Sequence, residues 1–301
     1  MTDLEKPLEG ELIEMIRDLP DLIGPAYPSV NPVDAYMSGK SANSRRMIIS
    51  SMNQVARLFD YDDYLTTPWG AMTYDHVNKL KGFLVDSGRS PSTVNTILSH
   101  VRGTARNAFM MTQMDSENLA RIQMVKSAKG SRLPKGRMVA LGELNQLVQN
   151  CLQDIEGGNQ AMGIRDVAMI GLMYICGLRR GEVAGLNVEN IHFNNHEIRL
   201  IGKGNKERKT FPDKGTLLAI NDWLDIRGRF EGPLFWQIRK GQNLVPGRIT
   251  PQTVYHIVQK RQIAAGVQQI APHDFRKTFI STILKQTGDL RIAQRLAGHS
   301  D

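Results

Sequence analysis

The 301-residue chain carries 38 Lys and Arg against 30 Asp and Glu, with 41% hydrophobic and 23% charged residues, a balance that excludes disorder throughout. No apolar run approaches the roughly 20 residues that span a bilayer, and the acidic start lacks the basic region of a signal peptide. The two cysteines, Cys151 and Cys176, have no Cys-x-x-Cys spacing, so we expect a cytoplasmic protein without membrane contact, disulfide framework or zinc site, its cysteines reduced and packed in the core.

Charge is unevenly distributed. Residues 1–30 hold seven acids and two bases, a net −5, so the total of +8 leaves +13 on the remainder. A body this basic suits a phosphate-rich partner, because each neutralised phosphate releases condensed counterions.

In chain order, the acidic lead-in is broken by Pro7, Pro20, Pro25 and Pro28 and contains one short helical pattern, Leu12 to Leu19. From residue 31 to 125 the pattern is helical, with helices expected near 42–59, 73–87, 91–109 and 115–125. In the third, Ser90 suits the cap, Pro91 the first position, and Val94, Ile97, Leu98, Val101 and Ala105 recur at helical spacing. Its other face carries Asn95, Ser99, Arg102 and Arg106, which are candidates to read a groove or touch phosphates or, alternatively, form a solvated face.

From Lys126 to Met138 the sequence KSAKGSRLPKGRM is basic and without periodicity. This marks a linker, and Lys129, Arg132, Lys135 and Arg137 suit a strap along a phosphate backbone; a solvated linker is the other reading. Helices are then expected over Leu141 to Ile155 and Ile164 to Cys176, the latter apolar nearly all round. Between Val188 and Phe211, short period-two runs around turn residues predict three antiparallel strands. Helices resume near 214–227, 251–265, 272–286 and 289–297.

Four segments offer chemistry. GLRRGEVAGL puts Arg179 just past a buried helix, with Glu182 placed three residues later to orient it; a structural ion pair is the alternative. GKGNKERKTFP sets Lys203 at a hairpin turn, where a lysine can enter a groove or donate a proton, or lie in solvent. HDFRKTF opens a helix with His273 and Arg276 three apart, at a terminus that favours anions; a local cap or pair is the alternative. LAGHSD ends one helix and presents His299, followed by a helix-start signal on which the chain stops, so we expect it to be part of something longer.

Taken together, these boxes, in this order and after a basic linker, resemble those of the tyrosine recombinase (phage integrase) family. The resemblance covers residues of about 31 to 301 and implies a mainly α protein. It comprises an all-helical core-binding domain at 31–125, the linker 126–138, and an α+β catalytic domain at 139–301 with a small three-stranded antiparallel sheet, behind the lead-in 1–30. By the same resemblance, Arg179 and Arg276 clamp the non-bridging oxygens of the scissile phosphate and Lys203 protonates the leaving 5′ oxygen. His273 accepts the proton of the nucleophile, His299 hydrogen-bonds the phosphate, and Glu182 holds Arg179. Fixed cations aimed at the charge of a pentacovalent phosphate replace a metal, so neither metal nor other cofactor is expected.

The implied partners are double-stranded DNA sites with inverted repeats and further copies of the chain, a dimer per site and a tetramer in the synapse. The family's nucleophilic tyrosine is expected shortly after Asp301, since Tyr174 and Tyr255 are misplaced for it and suit the core. The chain as it stands is therefore expected to bind DNA without cleaving it. A type IB topoisomerase-like enzyme and a non-catalytic DNA-binding regulator of the same fold are the alternatives.

Overall fold

The computed structural model describes residues 31–130, 136–201 and 207–297. The chain divides into two compact units, the first running to Leu133 and the second starting at Pro134.

The described part of the first unit is helical: α1 (Pro32–Met37), α2 (Ala42–Leu58), α3 (Tyr74–Asp86), α4 (Pro91–Met110) and α5 (Ser116–Met124). Each begins where a side-chain oxygen accepts one of the free N–H groups of the first turn, from Asn31, Ser41, Thr73, Ser90 and Asp115 respectively. The apolar stripe of α4, with Val94, Ile97, Leu98, Val101 and Ala105, is buried together with Met52, Trp69, Val77, Leu84 and Ile122. The helix spans the predicted positions with one residue more at its end.

The second unit combines α6 (Leu141–Glu156), α7 (Gln160–Ile175), α8 (Arg180–Gly185), β1 (Ile191–His192), β2 (Glu197–Ile201), β3 (Glu207–Thr210), α9 (Lys214–Arg227), β4 (Gln237–Arg239), β5 (Asn243–Val245), α10 (Pro251–Ala264), α11 (Pro272–Thr287) and α12 (Leu290–Ala297). Strands β1, β2 and β3 form the expected three-stranded antiparallel sheet, in that order, with Leu200 facing Arg208 and Ile198 facing Thr210. The hairpin β4–β5 and the short α8 are additions to the sequence reading.

Helix α7 is the axis of this core. Ala168, Met169, Ile170, Leu172 and Met173 are buried among Leu147, Val183, Ile220, Trp223, Phe235 and Phe275. One ionic group lies within it: Asp166 accepts from Arg165 at 2.9 and 2.8 Å and from Arg261 Nε at 2.8 Å, while Arg261 also meets Asp154 at 2.7 Å. This ties α6, α7 and α10 together without leaving a buried charge unopposed. Cys151 and Cys176 are free and completely buried. Among the described residues, no helix is long and apolar enough to cross a membrane.

Candidate active site

Arg179 is placed by the end of α7. After Ile175 the chain reaches Gly177 at φ +61°, a left-handed conformation that suits glycine, and a Cβ there would stand 2.4 Å from Cδ1 of Phe279. Arg179 then becomes the residue preceding α8, a helix too short to show a periodicity in the sequence. Glu182, in the first turn of α8, accepts the Arg179 backbone N–H at 2.7 Å with Oε2 and its Nη1 at 3.0 Å with Oε1. The carboxylate therefore contacts both ends of the arginine.

Arg276 reaches the same place from α11. Its side chain is completely buried, its Nη1 donates to the Gly177 carbonyl at 2.7 Å and stands 3.9 Å from Glu182 Oε2. Pro272 occupies the start of α11, and Asp274 accepts the N–H of Ala271 at 2.8 Å, which closes the first turn. His273, in that turn, is exposed.

A third arginine completes the cluster. Arg208, facing inward from β3, donates from Nη2 to Glu182 Oε2 at 2.8 Å and from Nη1 to the Leu296 carbonyl of α12 at 2.6 Å. In the sequence Arg208 is hidden in the charge run KERK. The signal available was strand alternation, since the buried Thr210 two residues on shares its face.

Electrostatics follow from one carboxylate among three guanidiniums. Burial pushes the Glu182 carboxyl up, but the Arg179 N–H and the cations Arg208 and Arg179 outweigh it and hold it below the usual glutamate range. Burial above all, and then the neighbouring charge of Arg179, lower the pKa of Arg276 to about 10, with Glu182 opposing and Arg208 adding to the shift. Arg276 is still a cation at neutral pH. The group holds a net positive charge on fixed, partly buried donors, the arrangement that stabilises an oxyanion.

Lys203 and His299 lie outside the described residues, as do Arg132, Lys135 and the lead-in 1–30. Strands β2 and β3, which flank Lys203 in the sequence, pair up to Ile201 and Glu207. Tyr174 packs edge-on to Phe275. Tyr255, contrary to the expectation of a core position, is half-buried with its ring 6.0 Å from the Arg180 guanidinium.

The candidates for DNA contact divide into two sets. Asn95 exchanges hydrogen bonds with the backbone of Ala128 at 3.1 and 2.8 Å, and Arg102 donates to the Val125 carbonyl. These two side chains hold the chain that follows α5, instead of standing on an open face as the helical spacing implied. Arg137 likewise turns inward, paired through two nitrogens to Glu143 at 2.6 and 2.7 Å and donating to the carbonyls of Gln268 and Gln269. Ser99, Arg106 and Lys129 remain exposed.

The segment around Arg137 is also tied to α11. Gly136 O accepts from Lys277 Nζ at 2.8 Å, Arg137 N donates to Asp274 at 3.2 Å and Val139 N donates to Thr278 Oγ1 at 2.8 Å. A Cβ on Gly136, at φ +139°, would stand 2.8 Å from the Asp274 carboxylate. Among the described residues, no three His, Cys, Asp or Glu side chains are placed to share a metal ion.

Comparison with known proteins adds to this geometry. The model of the phage integrase family matches residues 138–301. The chain is 28% identical over 239 residues to the tyrosine recombinase XerC of Alcanivorax borkumensis, covering 78% of this chain and 74% of that protein. Against the tyrosine recombinase XerC of Corynebacterium glutamicum it is 31% identical over 222 residues, covering 73% and 68%. A crystal structure of a lambda integrase dimer bound to a COC′ core site superposes with a TM-score of 0.64 at 16% identity, covering 90% of this chain and 94% of that one. At that identity the likeness is one of fold.

Proposed function

The chain belongs to the phage integrase family, the tyrosine recombinases, and from that premise we propose that it binds duplex DNA sites and supplies the phosphate-activating groups for cutting and rejoining their strands. The observation that carries this reading is the convergence of Arg179 and Arg276, from distant parts of the chain, on the single carboxylate of Glu182. Two guanidiniums so fixed suit the two non-bridging oxygens of one phosphodiester.

In the proposed reaction a tyrosine hydroxyl attacks phosphorus, the bond to the 5′ oxygen breaks, and a 3′-phosphotyrosyl link forms. His273 takes the tyrosine proton, Lys203 gives a proton to the leaving 5′ oxygen, and His299 hydrogen-bonds the phosphate. Arg179 and Arg276 balance the charge that gathers on the equatorial oxygens, the task a metal performs elsewhere. Strand joining is the same path in reverse, with a 5′ hydroxyl as the attacking group.

Tyr174 and Tyr255 are engaged with Phe275 and Arg180, so we assign the nucleophile to a tyrosine shortly after Asp301, and residues 1–301 alone to binding without cleavage. Ser99, Arg106 and Lys129 are the exposed DNA-contact candidates, and Arg132 and Lys135 join them by sequence. The lambda integrase neighbours were crystallised as a dimer on a core site and as a tetramer on a Holliday junction. Inverted-repeat sites, two copies per site and four in the synapse are the corresponding proposal here.

The test is a nicked suicide duplex presented to the protein with and without the residues encoded after Asp301. The longer protein traps a covalent adduct on a tyrosine, residues 1–301 bind without one, and Arg276→Ala abolishes the adduct while most binding remains. A stop codon directly after Asp301, or cleavage by residues 1–301, overturns the assignment of the nucleophile. No adduct from the longer protein on any duplex it binds leaves a DNA-binding regulator.

A further inference from the structure

Of the charged side chains of β3, Glu207 and Lys209 are exposed, while the Arg208 side chain is 10% exposed and directed at Glu182. Its guanidinium spans two elements. One nitrogen meets the carboxylate that holds Arg179, and another meets the carbonyl of Leu296 in the last turn of α12, directly before Gly298 and His299 in the sequence. A carbonyl in the last described turn of this helix presents the negative side of the aligned peptide dipoles, which favours a buried cation against it.

We propose that Arg208 is a positioning residue of the phosphate site: by bridging Glu182 and the end of α12 it fixes the carboxylate against which Arg179 and Arg276 are set. This rests on the recombinase reading for what the site binds. Without Arg208, Glu182 keeps its two hydrogen bonds from Arg179, with Arg276 at 3.9 Å, and loses its link to α12. The Arg179–Glu182 pair then lacks its bridge to α12, and its placement against Arg276 is loosened.

Arg208 also bears on Arg276 by charge, one of the neighbours that disfavour its protonated form. The three cations repel one another, with one carboxylate between them, and an incoming phosphate relieves that repulsion. A lysine cannot replace this arginine fully. Its single ammonium supplies the charge but lacks the planar fork that reaches two acceptors on different elements.

The test uses residues 1–301 with inorganic phosphate as the probe. The Glu182 side chain is followed by carboxyl NMR through a pH titration, and the Arg179 and Arg276 guanidinium signals through a phosphate titration, in wild type, Arg208→Gln and Arg208→Lys. Loss of the charge in Arg208→Gln moves the Glu182 midpoint up and weakens phosphate binding about tenfold. Arg208→Lys restores the midpoint and only part of the phosphate affinity.

A purely structural role for Arg208 would lower the melting temperature and leave the phosphate affinity in place, and that outcome overturns the proposal. Should Arg208→Gln fold poorly, Arg208→Lys decides: phosphate affinity equal to wild type overturns it. If the wild-type protein binds no phosphate, the recombinase reading fails, while an unmoved Glu182 midpoint in Arg208→Gln is what removes Arg208 from its assigned role.

Discussion

The guanidinium of Arg276 donates a 2.7 Å hydrogen bond to the backbone carbonyl of Gly177, two residues before Arg179. The chain segment that delivers one arginine is thus the hydrogen-bond acceptor of the other. Gly177 packs against Phe279 one turn further along α11, so the two helical segments meet at a residue that has no room for a side chain. Gly177→Ala is expected to destabilise the second unit by about 1–3 kcal/mol through positive φ and overpacking. Thermal unfolding measures this, and an unchanged melting temperature would show that Phe279 yields freely.

Glu182 gives the protein an acid-sensitive element. Its pKa in the folded protein lies below the ordinary glutamate value, so its stabilising contribution is present above the unfolded pKa, roughly 4.3, and is lost as pH falls through the folded value. The difference in urea-unfolding free energy between wild type and Glu182→Gln should shrink from neutral pH into that acid range. A difference independent of pH contradicts the assigned charge.

The Asp166 group is expected to act as one unit. Removing the carboxylate leaves Arg165 and Arg261, 5% and 2% exposed, facing one another across a buried gap, a loss of about 3–5 kcal/mol for Asp166→Ala. Hydrogen exchange at the α7 amides reads that loss locally. The double variant Asp166→Ala with Arg261→Met should lose less than the sum of the single changes, because the orphaned charge is gone.

Burial raises the thiol pKa of both Cys151 and Cys176 to about 12, which leaves almost no thiolate at neutral pH. A thiol-specific disulfide reagent should therefore leave the native protein unmodified and react with two equivalents once urea unfolds it. Rapid reaction of either cysteine in the native state would refute their packed positions.

Under the proposed reaction, in which arginine charges do the work of charge neutralisation, strand cleavage by a protein that carries the nucleophile should continue in excess EDTA. Complete inhibition by the chelator, reversed by a divalent ion, would instead assign that work to a metal.

Much of the fold was legible because its elements carry local signals. Ser90 with Pro91 marks where α4 begins, and the stripe from Val94 to Ala105 marks its buried face. The sheet showed itself through short alternating runs around Asn194-Asn195 and Gly204-Asn205. Helix α8 did not, since six residues hold less than two turns, and β4–β5 did not, since three-residue strands carry too short an alternation.

At the candidate site, Arg179 and Glu182 are close in sequence, so their pairing was readable. The roles of Asn95, Arg102 and Arg137 were not. A polar residue on the outer face of a helix looks alike whether it faces solvent or holds a later segment, and only tertiary structure separates the two. Arg208 was hidden for a related reason: in KERK the inward position depends on a register that β2 decides.

The anchoring of residues 136–139 on α11 has a mechanical side. Lys277, Asp274 and Thr278 grip the incoming strand at Gly136, Arg137 and Val139, interleaved along the helix with His273 and Arg276. A pull on the chain ahead of Gly136 is therefore borne in part by the same two turns that carry the histidine and the buried arginine. The load path thus enters this helix at its root and is shared with Glu143 of α6 and the carbonyls of Gln268 and Gln269, which hold Arg137.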